Sequence, residues 1–183
     1  MTKLCFGPDE EVWKGKFISI LKRPFTNVES GKGGHWELVK REVHGRIVGV
    51  MAVTPEKEVI LVKIFRVPLK QYVIECAAGL PDRPGEGGAK LAQRELLEET
   101  GYQCDELMEV VSGPLNSGLT DDVMVLFLGT GARKVAETAH ENAEDIEVLK
   151  IPRDELEDYL KNPPDGALVD LKIWALLPFL NKL

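Results

Sequence analysis

Glutamate residues are concentrated in one short stretch of the chain, where their spacing would let them act together. Glu95, Glu98 and Glu99 follow one another at intervals of three residues and one residue, so in a helix they would share a face about 100° wide. Each pair of like charges at helical spacing destabilises a helix by roughly 0.2–0.5 kcal/mol. Divalent cations such as Mg²⁺ prefer carboxylate oxygens and would remove this repulsion. The stretch is therefore a candidate metal site, and Arg94, one turn before Glu98, could orient that carboxylate.

The element that must carry these carboxylates is a helix bounded by glycines. We expect it to begin near Gly88, where a Gly- and Pro-rich loop ends. We expect it to end at Thr100, because Gly101 can adopt the left-handed conformation that closes a helix. Its other face would pack on a sheet through an apolar stripe of Ala89, Ala92 and Leu96. Taken alone, the helix could equally be an ordinary solvated acidic helix.

Segments with strand character precede and follow this helix. The expected strands are 12–23, 35–44, 46–53, 58–65, 72–76, 106–112, 123–128 and 146–151. Two further helices are expected at 153–162 and 167–180. This order predicts an α+β fold in which helices sandwich a mixed sheet. We divide the chain into an N-terminal extension, residues 1–45, and a main domain, residues 46–183.

The first two strands would form an antiparallel β-hairpin that is too small to stand alone. Its large aromatic residues, Trp13, Phe17 and Trp36, would be costly to expose. We therefore expect this extension to serve as a dimerisation arm and the protein to be a homodimer. Between strands 106–112 and 123–128 lies the polar segment GPLNSGLTDD, which we place beside the site.

Composition narrows the class of protein. A 183-residue chain with 44% hydrophobic and 29% charged residues has globular values. The net charge of −7 argues against nucleic acid as a partner. No apolar run reaches 18 residues, which argues against a membrane-spanning helix. Three cysteines without paired spacing indicate reduced thiols and a cytoplasmic protein.

The glutamate-rich stretch resembles a known family motif. Residues 79–102, GLPDRPGEGGAKLAQRELLEETGY, are similar to the Nudix box: Gly, five residues, Glu, seven residues, Arg-Glu, an apolar residue, any residue, Glu-Glu, any residue, Gly and an apolar residue. The positions that match in register are Glu86, Arg94, Glu95, Leu96, Glu98, Glu99, Gly101 and Tyr102. Gly79 is one position early, so the loop has one extra residue. The resemblance implies the Nudix α/β/α sandwich, with the hairpin as an N-terminal extension.

The resemblance also implies a hydrolase of nucleoside diphosphates linked to another moiety. The segments LVKIFRVP, YVIECAAGLPD, WELVKRE and ENAEDIEV are similar to the ADP-ribose pyrophosphatase branch. Mg²⁺, with Mn²⁺ as an alternative, would be bound by Glu95, Glu98, Glu99, Glu144 and the backbone carbonyl of Ala78. The general base would be Glu141 or Glu144, and either of these could instead be a solvated loop acid.

Substrate contacts follow from the same resemblance. Phe17 and Trp36 would sandwich the adenine, and Glu37 would hydrogen-bond its edge. Arg41 and Arg66 would contact the phosphates or the terminal ribose. The alternatives are plain packing for the two aromatic residues and surface ion pairs for the two arginines.

The expected reaction is Mg²⁺-dependent hydrolysis of ADP-ribose to AMP and ribose 5-phosphate. One alternative is a nucleotide-sugar or dinucleotide pyrophosphatase of the same family. A second alternative is a non-catalytic Nudix-like regulator, although such modules usually lack box acids that this chain retains. The expected partners are a small nucleotide substrate and a second copy of the chain, without nucleic acid or membrane.

Overall fold

A computed structural model of the chain describes residues 2–43, 45–139 and 145–180. The strands of the described part are β1 Leu4–Phe6, β2 Glu10–Lys14, β3 Ile18–Asn27, β4 Gly33–Arg41, β5 Ile47–Val53, β6 Glu58–Arg66, β7 Gln71–Glu75, β8 Ala77–Gly79, β9 Tyr102–Gln103, β10 Glu106–Pro114, β11 Val123–Thr130, β12 Arg133–Lys134, β13 Ile146–Pro152 and β14 Leu168–Val169. Its α-helices are α1 Gly88–Thr100, α2 Leu156–Lys161 and α3 Leu171–Leu180. The chain divides into two compact units: Met1–Gly45 with Gly113–Val123, and Arg46–Ser112 with Met124–Leu183.

The first unit is built around β3. Strands β1 and β2 pair with successive parts of one edge of β3, and β4 pairs antiparallel with its other edge. The strand expected at 12–23 is therefore wrong, because the chain turns at Gly15, whose N–H donates to the Ile18 carbonyl at 2.8 Å. The expected two-stranded hairpin is the β3–β4 part of a four-stranded sheet.

The segment expected as a polar loop, residues 113–122, also belongs to the first unit. The N–H of Val39 on β4 donates to the Leu119 carbonyl at 2.8 Å. Val39 also forms an isolated parallel bridge with Thr120. Residues 113–122 are therefore hydrogen-bonded to β4 and do not form an independent loop.

The second unit is a mixed sheet with strands in the order β10-β11-β5-β6-β7-β14. Strand β13 pairs with β6, and β8 pairs with β5. The β11–β5 and β14–β7 pairs are parallel, whereas β6 pairs antiparallel with β7 and β13. This arrangement confirms the mixed sheet.

Strand β5 shows how the layers are stacked, because all seven of its residues are buried. Alternate residues of a strand point to opposite faces. Ile47, Met51 and Val53 join a core cluster with residues of α2 and α3. Val48, Val50 and Ala52 join a second cluster with Leu91, Ala92 and Leu96 of α1. Helices therefore cover both faces of the sheet, which confirms the expected sandwich.

The helices agree in part with the sequence. Helix α1 has the predicted bounds, and Gly101 closes it with φ 77°. Ala89 is exposed instead of packing on the sheet, because burial of α1 begins at Leu91, after its first residues. Helix α3 starts at Leu171 rather than at 167, since Leu168–Val169 form β14 beside β7. None of the described helices combines the length and apolarity needed to cross a membrane.

Candidate active site

Arg94 gathers four carboxylates at the middle of α1. Its Nη1 lies 2.9 Å from Glu95 Oε1 and 2.9 Å from Glu98 Oε2. Its Nη2 lies 2.7 Å from Asp82 Oδ1 and 3.2 Å from Glu86 Oε2. One guanidinium thus faces four acidic groups and leaves a surplus of negative charge. Asp82 was not identified from the sequence, because it lies in the loop where the chain departs from the family spacing.

Strand β8 approaches α1 most closely at Gly79. A Cβ at this position would lie 2.0 Å from Glu95 Cδ and 2.3 Å from Glu95 Oε1. Only glycine leaves room for the Glu95 side chain here. The extra loop residue therefore leaves the glycine in contact with the acidic helix.

The last acidic residue of the box, Glu99, contacts the same strand. The backbone N–H of Ala78 donates to Glu99 Oε2 at 3.3 Å. Pairing of Ala78 with Gly49 of β5 fixes the position of this short strand. The structure thus brings together two of the expected metal ligands, Glu99 and Ala78.

Burial raises the pKa of Glu95 to about 7, and the nearby charges of Glu98, Asp82 and Glu86 add to this rise. The positive charge of Arg94 opposes it. The Glu95 side chain is only 14% exposed. A cation placed here would supply the positive charge that one arginine does not fully provide, and it would displace the proton from Glu95.

The carboxylates of the described residues are not arranged around a metal ion. Within this part of the chain, no group of three or more His, Cys, Asp or Glu side chains has a geometry that could hold one. The reason is that Glu95 and Glu98 turn toward Arg94. The donor set nevertheless suits a hard divalent cation, because it offers carboxylates and a backbone carbonyl. Glu141 and Glu144, the other expected ligand and base residues, lie outside the described residues.

Arg66 is paired with a carboxylate of the second unit. Its Nε lies 2.5 Å from Glu75 Oε1, and its Nη2 lies 3.0 Å from Glu75 Oε2. Glu75 is buried, whereas the Arg66 side chain is 44% exposed. Sequence patterns did not single out Glu75, because its role depends on a contact between neighbouring strands.

In the first unit, Arg41 is held by a buried carboxylate that the sequence also did not single out. Its Nε lies 3.0 Å from Asp122 Oδ2.

Trp36 is half-exposed and donates from Nε1 to the Gly118 carbonyl at 3.0 Å. A largely apolar cavity of about 250 Å³ adjoins its ring, lined also by Phe6 and Phe25. Glu37, the neighbour of Trp36, is exposed.

Phe17 is not brought together with Trp36. Phe17 is strongly exposed, with Lys16 Nζ 4.9 Å from its ring centroid. Its carbonyl accepts a hydrogen bond from the N–H of Glu42, which is six residues along the chain from Trp36. Six residues of extended strand span about 20 Å. One base could contact both rings only if the two residues came from different copies of the chain.

Comparison with known proteins gives the family. Residues 43–172 match the family described as NUDIX domain. The chain is 33% identical over 174 residues to the ADP-ribose pyrophosphatase of Bacillus subtilis (strain 168), covering 94% of this chain and 89% of that protein. It is 30% identical over 155 residues to the methanol dehydrogenase activator of Bacillus methanolicus, covering 83% and 80%. The chain therefore belongs to the Nudix family.

A solved structure of an ADP compounds hydrolase has the same fold. It superimposes with a TM-score of 0.80 at 18% identity, covering 100% of this chain and 94% of that chain. Because the chain belongs to this family and retains the acidic residues of the box, the protein is a Nudix hydrolase.

Proposed function

We propose that this protein hydrolyses ADP-ribose to AMP and ribose 5-phosphate with the help of Mg²⁺ or Mn²⁺. The observation that carries the proposal is the set of carboxylates around Arg94, held beside the backbone of Ala78 and Gly79. Such a set suits divalent cations that also bind phosphate oxygens. The similarity to the Bacillus subtilis ADP-ribose pyrophosphatase over nearly the full length of both chains supports ADP-ribose as the substrate.

The role of the acidic helix is to hold the metal against the diphosphate. Glu95, Glu98, Glu99 and the Ala78 carbonyl are the proposed ligands. When bound, a divalent cation would neutralise the charge of the diphosphate and would make water a better nucleophile. Arg94 keeps Glu95 and Glu98 directed toward one side of α1.

Hydrolysis adds one water across the P–O–P bridge. The water oxygen bonds to one phosphorus, the bridging P–O bond breaks, and the second phosphate leaves with the bond electrons. The proton of the water needs an acceptor that is not occupied by metal. Glu141 and Glu144 remain the proposed acceptors.

The remaining parts of the substrate are assigned to the arginines and aromatic residues. Arg66 would contact the diphosphate or the terminal ribose. Arg41, a residue of the first unit, would also contact one of these two groups. Trp36 and Phe17 would stack on the base, with Glu37 at its edge. Because the strand register separates the two rings within one chain, the proposal requires a homodimer.

Location in the cytoplasm is part of the same proposal. The described structure holds its cysteines as free thiols, with Cys76 and Cys104 buried and Cys5 exposed. Free thiols are typical of reducing compartments, where nucleotide substrates of this kind would be met.

A hydrolysis screen tests the proposal. The purified protein is incubated with ADP-ribose, a GDP-sugar, an ADP-sugar and a dinucleoside diphosphate, with Mg²⁺, with Mn²⁺ and with chelator. We expect ADP-ribose to give the highest kcat/KM and chelator to abolish turnover. A tenfold preference in kcat/KM for a nucleotide sugar or dinucleotide would show that ADP-ribose is not the substrate. Hydrolysis of a diphosphate bond would remain the proposed reaction.

A second candidate is a binding module without turnover. One similar protein is named as an activator of another enzyme, which is the observation in its favour. Binding of ADP-ribose without hydrolysis of any compound in the screen would support this candidate and contradict the first.

A further inference from the structure

Glu75 is a buried carboxylate with two positively charged neighbours. It is 4% exposed at the end of β7. Both of its oxygens accept hydrogen bonds from Arg66, from Nε at 2.5 Å and from Nη2 at 3.0 Å. Paired contacts of this kind fix both the position and the plane of a guanidinium.

The strand register shows how far Arg66 must reach. Arg66 pairs with Gln71 across the β6–β7 hairpin, and Glu75 lies four residues further along β7. Four residues of strand span about 13 Å, and residues 71 and 75 lie on the same face. The Arg66 side chain therefore runs along the sheet, and its charged end is fixed by Glu75.

Glu75 has a second positively charged neighbour, Lys172. Lys172 Nζ lies 3.8 Å from Glu75 Oε2. Lys172 also forms an ion pair with Asp170, and the Asp170 N–H donates to the Ile74 carbonyl at 3.0 Å. The carboxylate of Glu75 thus has two cationic neighbours, and a backbone hydrogen bond fixes the adjacent residue of its strand.

The chain continues from Glu75 through Cys76 into β8, which contacts the acidic helix. Three residues after Glu75, the N–H of Ala78 donates to Glu99. The hydrogen bonds that Arg66 donates to Glu75 are the largest cause that raises the pKa of Arg66, and the negative charge of Glu99 adds to it. Arg66 is therefore within the electrostatic reach of a proposed metal ligand.

The Glu75 and Arg66 side chains differ in how far they are buried, and this difference indicates a function for the pair. Buried ion pairs stabilise a fold little more than apolar residues of similar volume do, so stability alone does not explain this one. The Glu75 side chain is 5% exposed and the Arg66 side chain 44%. The carboxylate is the fixed, buried partner, and the guanidinium keeps an open side.

We propose that Glu75 is a positioning residue that holds the guanidinium of Arg66 against the diphosphate of the substrate. The proposal rests on the function proposed above. Glu75 touches no substrate atom and acts only through Arg66. Its loss should therefore have no further effect once Arg66 has been removed.

A double-mutant cycle tests this dependence. Glu75→Gln and Arg66→Ala should each lower kcat/KM for ADP-ribose by about 10- to 100-fold, the range of one charge-assisted hydrogen bond. The double variant should match Arg66→Ala within about twofold, since the residues act as a unit. A purely structural Glu75 would lower kcat/KM by the same factor in both backgrounds, and that result would overturn the proposal.

Two controls keep the test decisive. Asp105→Asn removes the partner of Arg133, whose Nη1 lies 2.7 Å from Asp105 Oδ2 in an exposed pair, and should leave kcat/KM unchanged. If Glu75→Gln fails to fold, Glu75→Asp takes its place, because a shorter carboxylate would draw the guanidinium back while keeping the charge.

A binding measurement separates this proposal from the proposed function. Equilibrium dialysis with inorganic pyrophosphate and Mg²⁺ is run on the same four proteins. If the wild type hydrolyses none of the compounds in the screen, the proposed function fails. A non-additive loss of pyrophosphate binding in the cycle would still support the Glu75–Arg66 unit, and additive losses would reject it.

Discussion

Gly79 and Glu95 are in such close contact that any side chain at position 79 would require the Glu95 side chain to move. A Cβ there would lie 2.0 Å from Glu95 Cδ, far inside ordinary contact distance. This contact joins β8 to α1 at the point where the strand backbone meets the acidic face. The position of the Glu95 carboxylate therefore depends on the absence of a side chain on the neighbouring strand.

Substitution of Gly79 by alanine should displace the Glu95 side chain. We expect Gly79→Ala to lower the free energy of unfolding by about 1–3 kcal/mol, as overpacked sites do, and to lower kcat by at least about tenfold because a metal ligand moves. Gly87→Ala is the matched control, since nothing lies within 4 Å of a Cβ at Gly87. Thermal unfolding and initial rates check both. Equal effects of the two variants would contradict the role of the contact.

Metal removal should show itself in stability as well as in activity. Because one arginine faces four carboxylates, added Mg²⁺ should raise Tm, and excess chelator should abolish turnover. Glu99→Gln should lose most turnover while remaining folded, as it removes a charge with little change in volume. Glu106→Gln, an exposed glutamate of β10, is the control. Full activity in chelator, or in Glu99→Gln, would contradict the assignment of the site.

The pKa of Glu95 should make the stability of the metal-free protein depend on pH. Its folded pKa of about 7 exceeds the ordinary value of about 4.3, so the folded state binds more protons between these two pH values. The stability of the wild type should therefore fall as pH rises from about 4.3 to about 7 and level off above. Glu95→Gln lacks this dependence. Urea unfolding in chelator at pH 5, 6, 7 and 8 should show a wild-type-minus-variant difference that decreases with pH, and a constant difference would reject it.

The sequence predicted the parts of the structure that depend on local signals. The bounds of α1 follow from a loop rich in Gly and Pro and from the left-handed Gly101. The presence of strand β5 follows from the apolar run of residues 47–53. Turns without a strong signal were missed, since the residues around Gly15 continue the alternation of a strand while the chain reverses there.

Contacts between residues that are distant in the chain could not be predicted from the sequence. Asp122 is joined to Arg41 only because residues 113–123 lie beside β4. Glu75 meets Arg66 only because of the register between β6 and β7. Neither carboxylate belongs to a motif, and each looks like an ordinary acidic residue until the pairing of the strands is known.

Association of two chains is the next prediction, and it rests on the exposed aromatic residues of the first unit. Phe6, Trp13 and Phe17 are each at least half exposed, which is unusual for such large apolar side chains. Sedimentation at micromolar concentration should give twice the chain mass of 20.3 kDa. Phe17→Ser should weaken association without lowering the Tm of the monomer. A wild-type protein that sediments as a single chain would contradict a base-binding site formed by two copies of the chain.

The last prediction concerns the base of the substrate. Trp36 is held by its hydrogen bond to the Gly118 carbonyl, beside an apolar cavity, and about half of the residue is exposed. Stacking of a base on an aromatic ring contributes roughly 1–3 kcal/mol, so Trp36→Ala should raise KM for ADP-ribose by about 10- to 100-fold. The kcat should change less, because a contact remote from the phosphorus is similar in the ground state and the transition state.

Two matched variants decide whether Trp36 itself binds the base. Trp36→Phe keeps an aromatic face and loses the hydrogen bond to Gly118 and part of the ring area, so KM should rise less than in Trp36→Ala. Trp13→Ala removes a side chain of the same type at nearly the same exposure, 52% against 53%. Because Trp13 belongs to the surface on which association rests, its KM is measured at a protein concentration at which sedimentation shows the dimer, and it should then be unchanged. An equal rise of KM in Trp13→Ala would mean that the first unit as a whole has been disturbed. An unchanged KM in Trp36→Ala would show that Trp36 serves packing and would remove the basis for assigning an adenine base.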